Sequence, residues 1–320
     1  MRQSGFAIRT RDEVDAGEWA VLLASDPRSL LFQAPGWLKR FVRHHPRKRA
    51  RWLELRDEDG KLLSGMPFAL SSRLGLRAIA SGIAGTYGGP VSRQGEQEAE
   101  RAILRHYLKL GGRRCVLREI LWGHETPPAG AEQELLPIET AIIDLSGGFE
   151  GFWRHSLTHN RRNECNRSER RGLSTRESRE LDLLRAFYPL YQKRSEEWGR
   201  VPHSLSFLEE VVEEEKSSLL ISCEYEGRVV GMHVCFDLGA EFLAWLGTSE
   251  RLREVFPATM MVKAGVRAAA ARGCKRMNLG SSLGLRGVSE FKKLVGAESS
   301  RRWLLHRQAG WLERARGRSR

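Results

Sequence analysis

The stretch GVSEFKKLVGA, residues 287–297, follows the segment MNLGSSLGLR. Small residues dominate the approach, and an aromatic, Phe291, is followed by two lysines, Lys292 and Lys293. A solvated turn needs no such arrangement. A site that holds an anionic intermediate does. Glycine lets the backbone pass close to a substrate because no Cβ blocks the approach. An apolar side chain closes the site, and a cation meets the charge. Amide formation from an activated ester passes through a tetrahedral oxyanion, and one preorganised donor at that oxygen lowers the barrier by about 3–4 kcal/mol. The plain alternative is a solvent-reachable lysine pair on a short helix.

A second cationic feature lies upstream. Residues 150–172 hold six arginines against three glutamates. Read as one helix, they place His155, His159, Arg162, Asn166 and Arg170 on a single stripe. Phe152, Trp153, Leu157 and Cys165 are the few apolar residues left to dock it. Such a helix is either a solvated face or an anion platform. Guanidinium forks match phosphate better than an ammonium does, which makes Arg161 and Arg162 candidate phosphate ligands. The two histidines have no third ligand nearby, so no metal site is expected. Lys39 sits two residues after Trp37 in an amphipathic segment, PGWLKRFVRHH. The cluster HPRKRARW, residues 45–52, has the charge to touch RNA and equally the composition of a solvated loop. Tyr87 in TYGG is placed to line an inter-domain cleft, or to fill a core.

The elements that position these residues repeat. RWLELRDEDGKLLSGMPFAL (51–70) and LLISCEYEGRVVGMHVCFDL (219–238) are both apolar runs joined by an acidic-Gly pair, with Gly-Met at similar offsets. Asp59-Gly60 and Glu226-Gly227 are hairpin signals. RAILRHYLKLGGRRCVLREI (101–120) and GVRAAAARGCKRMNLG (265–280) each read as helix, glycine stop, basic residues and strand. TYGGPVS and WLGTSE lie between these pairs, at strand ends. Two copies of one α+β unit are implied. Their boundary is expected near LSGG, giving domains 1–146 and 147–320. In the second copy Pro257 opens a helix and Gly273 ends it.

Composition bounds the reading. The 320 residues suffice for two ordinary domains. Net charge is +13, with 22 basic against 18 acidic residues up to 148 and 31 against 22 beyond. The second half is therefore the place to look for an anionic partner. Five scattered cysteines without a CxxC spacing read as buried thiols in a reducing compartment. No N-terminal apolar core and no run of about 18 apolar residues is present, so a cytoplasmic protein is expected.

The order strand, helix, helix, hairpin, strand, helix, strand resembles the GNAT acyltransferase fold. Two copies resemble the FemAB-type family of tandem GNAT-like domains. FQAPGWLKRF (32–41), GTYGGP (85–90), HNRRNECNRSERRGL (159–173) and GVSEFKKLVGA resemble that family's motifs in order. Two features depart: no long helical arm is visible, and Val295 stands where an aromatic is common. The resemblance implies an α+β fold with two mixed, largely antiparallel sheets flanked by helices and a cleft between the domains. It implies catalysis by Lys292 with Phe291 as apolar wall, and substrate-phosphate contacts from Lys39. It implies transfer of an aminoacyl or acyl group from an activated donor, with a peptidoglycan precursor as the natural acceptor. No resident cofactor is expected; the donor is aminoacyl-tRNA or an acyl-CoA. The implied partners are a phosphate-bearing substrate, tRNA, and the membrane surface through a lipid-linked acceptor, with no obligate protein partner.

Two other readings stay open. A CoA- or carrier-dependent N-acyltransferase of this fold acting on a small or polysaccharide-linked amine is one. Against it, GTSERLREVFPATM has no glycine after Gly247, whereas pyrophosphate capture ordinarily uses a glycine loop opening a helix. A non-catalytic basic module binding RNA is the other. No P-loop, GxGxxG, HExxH or GxSxG is present, so direct transfer without a covalent enzyme intermediate is expected.

Overall fold

Residues 7–130, 133–282 and 284–309 are described by the computed structural model. They divide into two units, one reaching to Ile138 and resuming at Arg301, the other Glu139–Ser300. The chain begins β1 (Ala7–Arg11), α1 (Ala16–Ser25), α2 (Pro35–Arg43), β2 (Lys48–Arg56), β3 (Leu62–Arg73), β4 (Leu76–Ser81), β5 (Val91–Ser92), α3 (Gln97–Lys109) and β6 (Cys115–Trp122). It continues β7 (Leu136–Asp144), α4 (Gly148–Gly151), α5 (His159–Arg170), β8 (Ser174–Ser178), α6 (Leu181–Glu197), α7 (Leu205–Glu214), β9 (Ser218–Tyr225), β10 (Arg228–Asp237) and β11 (Glu241–Ser249). It closes with α8 (Pro257–Ala271), β12 (Arg276–Asn278), α9 (Arg286–Leu294) and β13 (Glu298–Gln308).

In the first unit β1, β2, β3 and β4 form an antiparallel ladder, β4 and β6 run parallel, and β13 borders β6 antiparallel. In the second unit β8, β9, β10 and β11 form the antiparallel ladder, β11 and β12 run parallel, and β7 borders β12 antiparallel. The two units are thus the same α+β design, as the repeat implied. The hairpins fall at equivalent places, β2–β3 and β9–β10. Their turns carry positive φ at Gly60 (80°), Glu226 (52°) and Gly227 (75°), the conformation that Asp-Gly and Glu-Gly were read to provide.

The sixth strand is exchanged. The segment after β6 leaves as β7, which joins the second unit from Glu139 on, and β13 returns to the first unit from Arg301 on. The sequence expectation of 1–146 and 147–320 therefore differs from these units at both chain crossings.

Each unit buries its own core. On α3, Ala99, Ile103, Leu104 and Tyr107 form one buried stripe against Leu53, Leu55, Met66 and Phe68. Each such aliphatic side chain removed from water contributes about 1.5–3 kcal/mol. Helix α8 is buried almost all round, and Gly265 explains how close it comes to the sheet: a Cβ there would meet Met277 Cε at 2.5 Å. Pro257 opens α8 and Gly273, at φ 77°, follows its end.

Residues 150–172 do not form one helix. Helix α4 gives way to a π-helical turn, Phe152–Ser156, and the chain is extended at Leu157 and Thr158 before α5 starts. The cause is local. The Arg162 guanidinium Nη1 donates to the carbonyls of Trp153 (3.0 Å), Arg154 (3.2 Å) and Leu157 (2.5 Å), capping the turn's C-terminal end. The stripe expected to join His155 to His159 is broken at this point. The five cysteines are buried and free. Among the described residues no helix is long and apolar enough to cross a membrane.

Candidate functional site

The site grows from the parting of a parallel pair. In the second unit β11 pairs with β12 only over Glu241–Leu243, then runs on to Ser249. Parallel strands that part at their C-terminal ends leave a crevice suited to a ligand. The first unit closes the equivalent place with its own chain. There Gly88 bridges to Trp122, its N–H donates to Leu121 O at 2.8 Å, and Gly89 N–H donates to Ser81 Oγ at 2.9 Å. Tyr87 belongs to this plug. It is buried, and its ring lies where a Cβ on Gly123 would stand.

In the second unit the crevice is furnished with chemistry. Lys292, on α9, is buried, so the plain alternative of a solvent-reachable pair does not describe it. Its ammonium donates to Gly280 O (2.9 Å) and Ser281 O (3.1 Å), the first residues of the small-residue loop. An ammonium has three N–H donors, so one remains. Burial first, and the nearby Arg200 guanidinium second, lower the Lys292 pKa to about 8. Lys293, its neighbour, is exposed.

The loop that Lys292 grips is itself fixed. Asn278 is buried at the end of β12; its Oδ1 accepts from Gly280 N–H (2.7 Å) and Thr140 Oγ1 (3.0 Å), and its Nδ2 donates to Glu241 (2.7 Å). The other end of α9 is held by the π-turn. Thr158 Oγ1 donates to Leu294 O at 3.0 Å, and Gly296 stands at φ 85° where a Cβ would meet Ser156 O at 2.6 Å. Gly296→Ala is expected to destabilise the protein by about 2–4 kcal/mol, from a left-handed backbone and a contact that only main chain can relieve. Gly287→Ala, in open space on the same helix, should stabilise by about 0.5 kcal/mol. Urea unfolding midpoints compare the two; equal shifts would show that α9 is not anchored there.

His233 was not singled out by sequence. It is a lone polar residue in the apolar run VVGMHVCF, and that interruption was the available signal. It faces Gly247 on β11. A Cβ on Gly247 would lie 2.1 Å from His233 Cδ2, so the glycine in WLGTSE makes room for the ring. The His233 Nδ1 is buried with no hydrogen-bond partner among the described residues. Burial and the Lys292 ammonium lower its pKa to about 4, which keeps the ring neutral. Two residues before Gly247 on β11, Trp245 stacks on His203 at 5.6 Å. The loop carrying Arg200 is held to α6 by Tyr188, which donates to His203 O (3.0 Å), and Tyr191, which accepts from His203 N–H (3.1 Å).

The remaining sequence candidates divide. Phe291 is half-buried with the Arg161 guanidinium over its ring at 5.4 Å, so these two are brought together beside Lys292. Arg161 is also paired with Glu164 at 2.7 Å. Arg162 serves the π-turn. Lys39 lies in the first unit, paired with exposed Glu13 at 2.5 Å and 5.8 Å from the Trp52 ring centre.

The start of α8 bears on the donor. Glu164 accepts from Thr259 Oγ1 (2.8 Å) in the first turn, and Ser168 Oγ accepts from Phe256 N–H (2.9 Å). The Glu164 carboxylate on α5 thus stands beside the first turn of α8, where its charge opposes a phosphate.

Residues 159–293, which carry this site, match the family described as Acetyltransferase (GNAT) domain. Comparison with curated protein sequences finds no match. Among solved structures the chain resembles FemX, at 14% identity over 96% of this chain and 99% of that one, with a TM-score of 0.70. It resembles a tandem GNAT protein from the clavulanic acid biosynthesis pathway, at 12% identity over 95% and 98%, with a TM-score of 0.57. It also resembles L-PGS from Bacillus licheniformis, at 13% identity over 91% and 90%, with a TM-score of 0.56. The chain accordingly has the fold of two GNAT-like units that FemX and the tandem GNAT protein share, and within its second unit residues 159–293 are similar to a GNAT acetyltransferase domain.

Proposed function

We propose that the protein transfers an aminoacyl group from aminoacyl-tRNA to the amine of a phosphate-bearing acceptor of the peptidoglycan-precursor type. The observation that carries the reading is the buried Lys292 ammonium, set on two carbonyls with one donor to spare at the crevice between β11 and β12. The amine attacks the ester carbonyl, and the third Lys292 N–H meets the oxyanion as it forms. Collapse of the intermediate expels the ribose hydroxyl and leaves an amide. Phe291 and Trp245 supply apolar walls that keep the site dry, where such a donor is strongest. The Glu164 carboxylate beside the first turn of α8 supports an ester donor over a CoA pyrophosphate. Lys39 and Arg161 are the proposed contacts to acceptor phosphates, Arg161 by exchanging Glu164 for the ligand. Tyr87 and Arg162 are proposed to support substrate binding through the segments they hold. A lipid-linked acceptor would bring the protein to the membrane surface.

The test presents purified protein with aminoacyl-tRNA or acyl-CoA and a panel of amine acceptors, with amide formation read by mass spectrometry. Small molecules, lipids and RNAs that co-purify, read the same way, identify the starting candidates. Transfer from CoA at the rate seen from tRNA would sink the donor assignment. No amide from either donor would sink the reading as a whole.

A pH dependence follows. The ammonium is the working form, and its folded pKa is lowered from 10.5 to about 8. The proton is therefore held at pH 7 and lost as pH rises through about 8. The kcat/KM profile should fall above that value, reporting the free enzyme. The rising limb belongs to the acceptor amine and moves when the acceptor is changed; the falling limb stays. A falling limb that moves with the acceptor would remove Lys292 from the assignment.

A further inference from the structure

The basic cluster at residues 45–52 has no place in that reaction, and the first unit shows where it leads. A cavity of about 690 Å³ opens on one face of the β1–β4 ladder, within the range of small-molecule sites. Cross-strand register builds it. Arg51 stands opposite Phe68, and Arg49 opposite Leu70, which in turn faces Ile79. Ser72 faces Arg77 on the next rung, and Arg47 precedes the strand. Phe68, Leu70, Ile79 and Leu110 make an apolar floor, and four arginines stand round it. No lining residue is acidic.

The arginines are not consumed by the fold. Arg51 is paired with Asp12 at 3.0 Å. Among the described residues Arg47, Arg49 and Arg77 have no carboxylate partner. Three unneutralised arginines lining a cavity with an apolar floor suit an anion with more than one charge, and their planar forks fit phosphate oxygens. A nucleic-acid track fits less well. The one aromatic of the floor, Phe68, is buried and offers no stacking platform. Lys48, within the cluster, turns away to Ser71 Oγ and the Phe41 ring.

We infer that this cavity binds a small soluble amphiphile with a phosphate head and an apolar body. The head sits among Arg47, Arg49 and Arg77, and the body lies on Phe68, Leu70, Ile79 and Leu110. The inference stands independently of the transfer reading, because every residue it uses belongs to the first unit and none is assigned to the reaction.

Isothermal titration of the full chain tests it, with decyl phosphate held below its micelle concentration as probe. Decyl phosphate should bind, and inorganic phosphate and decanol should each bind at least about 100-fold more weakly, since each keeps only half of the recognition. Arg49→Met and Arg77→Met, both exposed in the fold, should each weaken decyl phosphate about tenfold, the loss of one charge-assisted contact. Amide transfer by the two variants should match wild type. Equal affinity for inorganic phosphate overturns the assignment, as does binding that ignores both substitutions. Two further results overturn it by naming another occupant. One is capture by phosphatidic acid vesicles, with the same arginine dependence, when decyl phosphate monomers fail. The other is capture of a single-stranded RNA oligomer on those terms.

Discussion

Lys292→Met is expected to lower single-turnover amide formation by about 100-fold or more, the usual loss for one oxyanion donor. Lys293→Met, one residue along and exposed, should change little. The structure makes the comparison sharper than the sequence does, because Lys292 also clamps the loop through Gly280 and Ser281. The two roles separate on stability. Methionine follows the same path and volume but leaves two carbonyls without their donor, which is unfavourable. It also removes a charge that the interior tolerates poorly, as the pKa of about 8 records, which is favourable. The terms oppose, so the unfolding free energy should move by under about 1 kcal/mol. A rate loss that tracks an equal loss of fold would mean a clamp alone. Equal modest losses at 292 and 293 would mean surface charge. Lys292→Arg should recover part of the rate, since a cation returns in a wider, planar form.

A chain ending at Ser300 should lose the fold of its first unit and keep that of its second. Strand β13 contributes the antiparallel border of β6 over Trp303–Gln308, with Leu305 buried in the first unit's core. Its Trp303 indole also donates to Glu125 O at 2.7 Å. Without it β6 becomes an open edge exposing apolar surface. Hydrogen exchange reads the outcome directly. Amides of α3 and β6 should lose protection, while those of β10 and α8 keep it. Unchanged protection at β6 would show the strand to be dispensable, and uniform loss would show that the units do not fold separately.

Much of this architecture was legible because its signals are local. Asp59-Gly60 and Glu226-Gly227 specify turns within a few residues, and Pro257 and Gly273 bracket a helix that alanine and valine fill. The repeat rests on four paired segments in the same order, the hairpins, the Gly-Met pairs, the helix–glycine–strand runs and the strand ends TYGGPVS and WLGTSE. The exchanged strands carry no comparable mark, since a strand's neighbour is chosen by long-range pairing and β7 reads the same whichever unit it joins. The break at Leu157–Thr158 escaped for a related reason. It is fixed by Arg162 reaching back to three carbonyls and by Thr158 reaching Leu294, contacts that helix periodicity does not contain. Residue type and the family resemblance together singled out Phe291 and Lys292, but neither contains the burial of Lys292, because two lysines in sequence differ only in which way the helix turns them. His233 was visible as a polar interruption of an apolar strand, and only Gly247 across the ladder explains why it is tolerated.

The strand exchange also sets an order of events at the ribosome. Domains ordinarily complete in the order they are made, the N-terminal one first, at about 5–20 residues per second. Here every strand of the second unit has been made by Asn278, while the first unit still lacks the strand that begins at Glu298. The half translated first is therefore the half that closes last, and until then the bare edge of β6 is what a nascent-chain chaperone would meet.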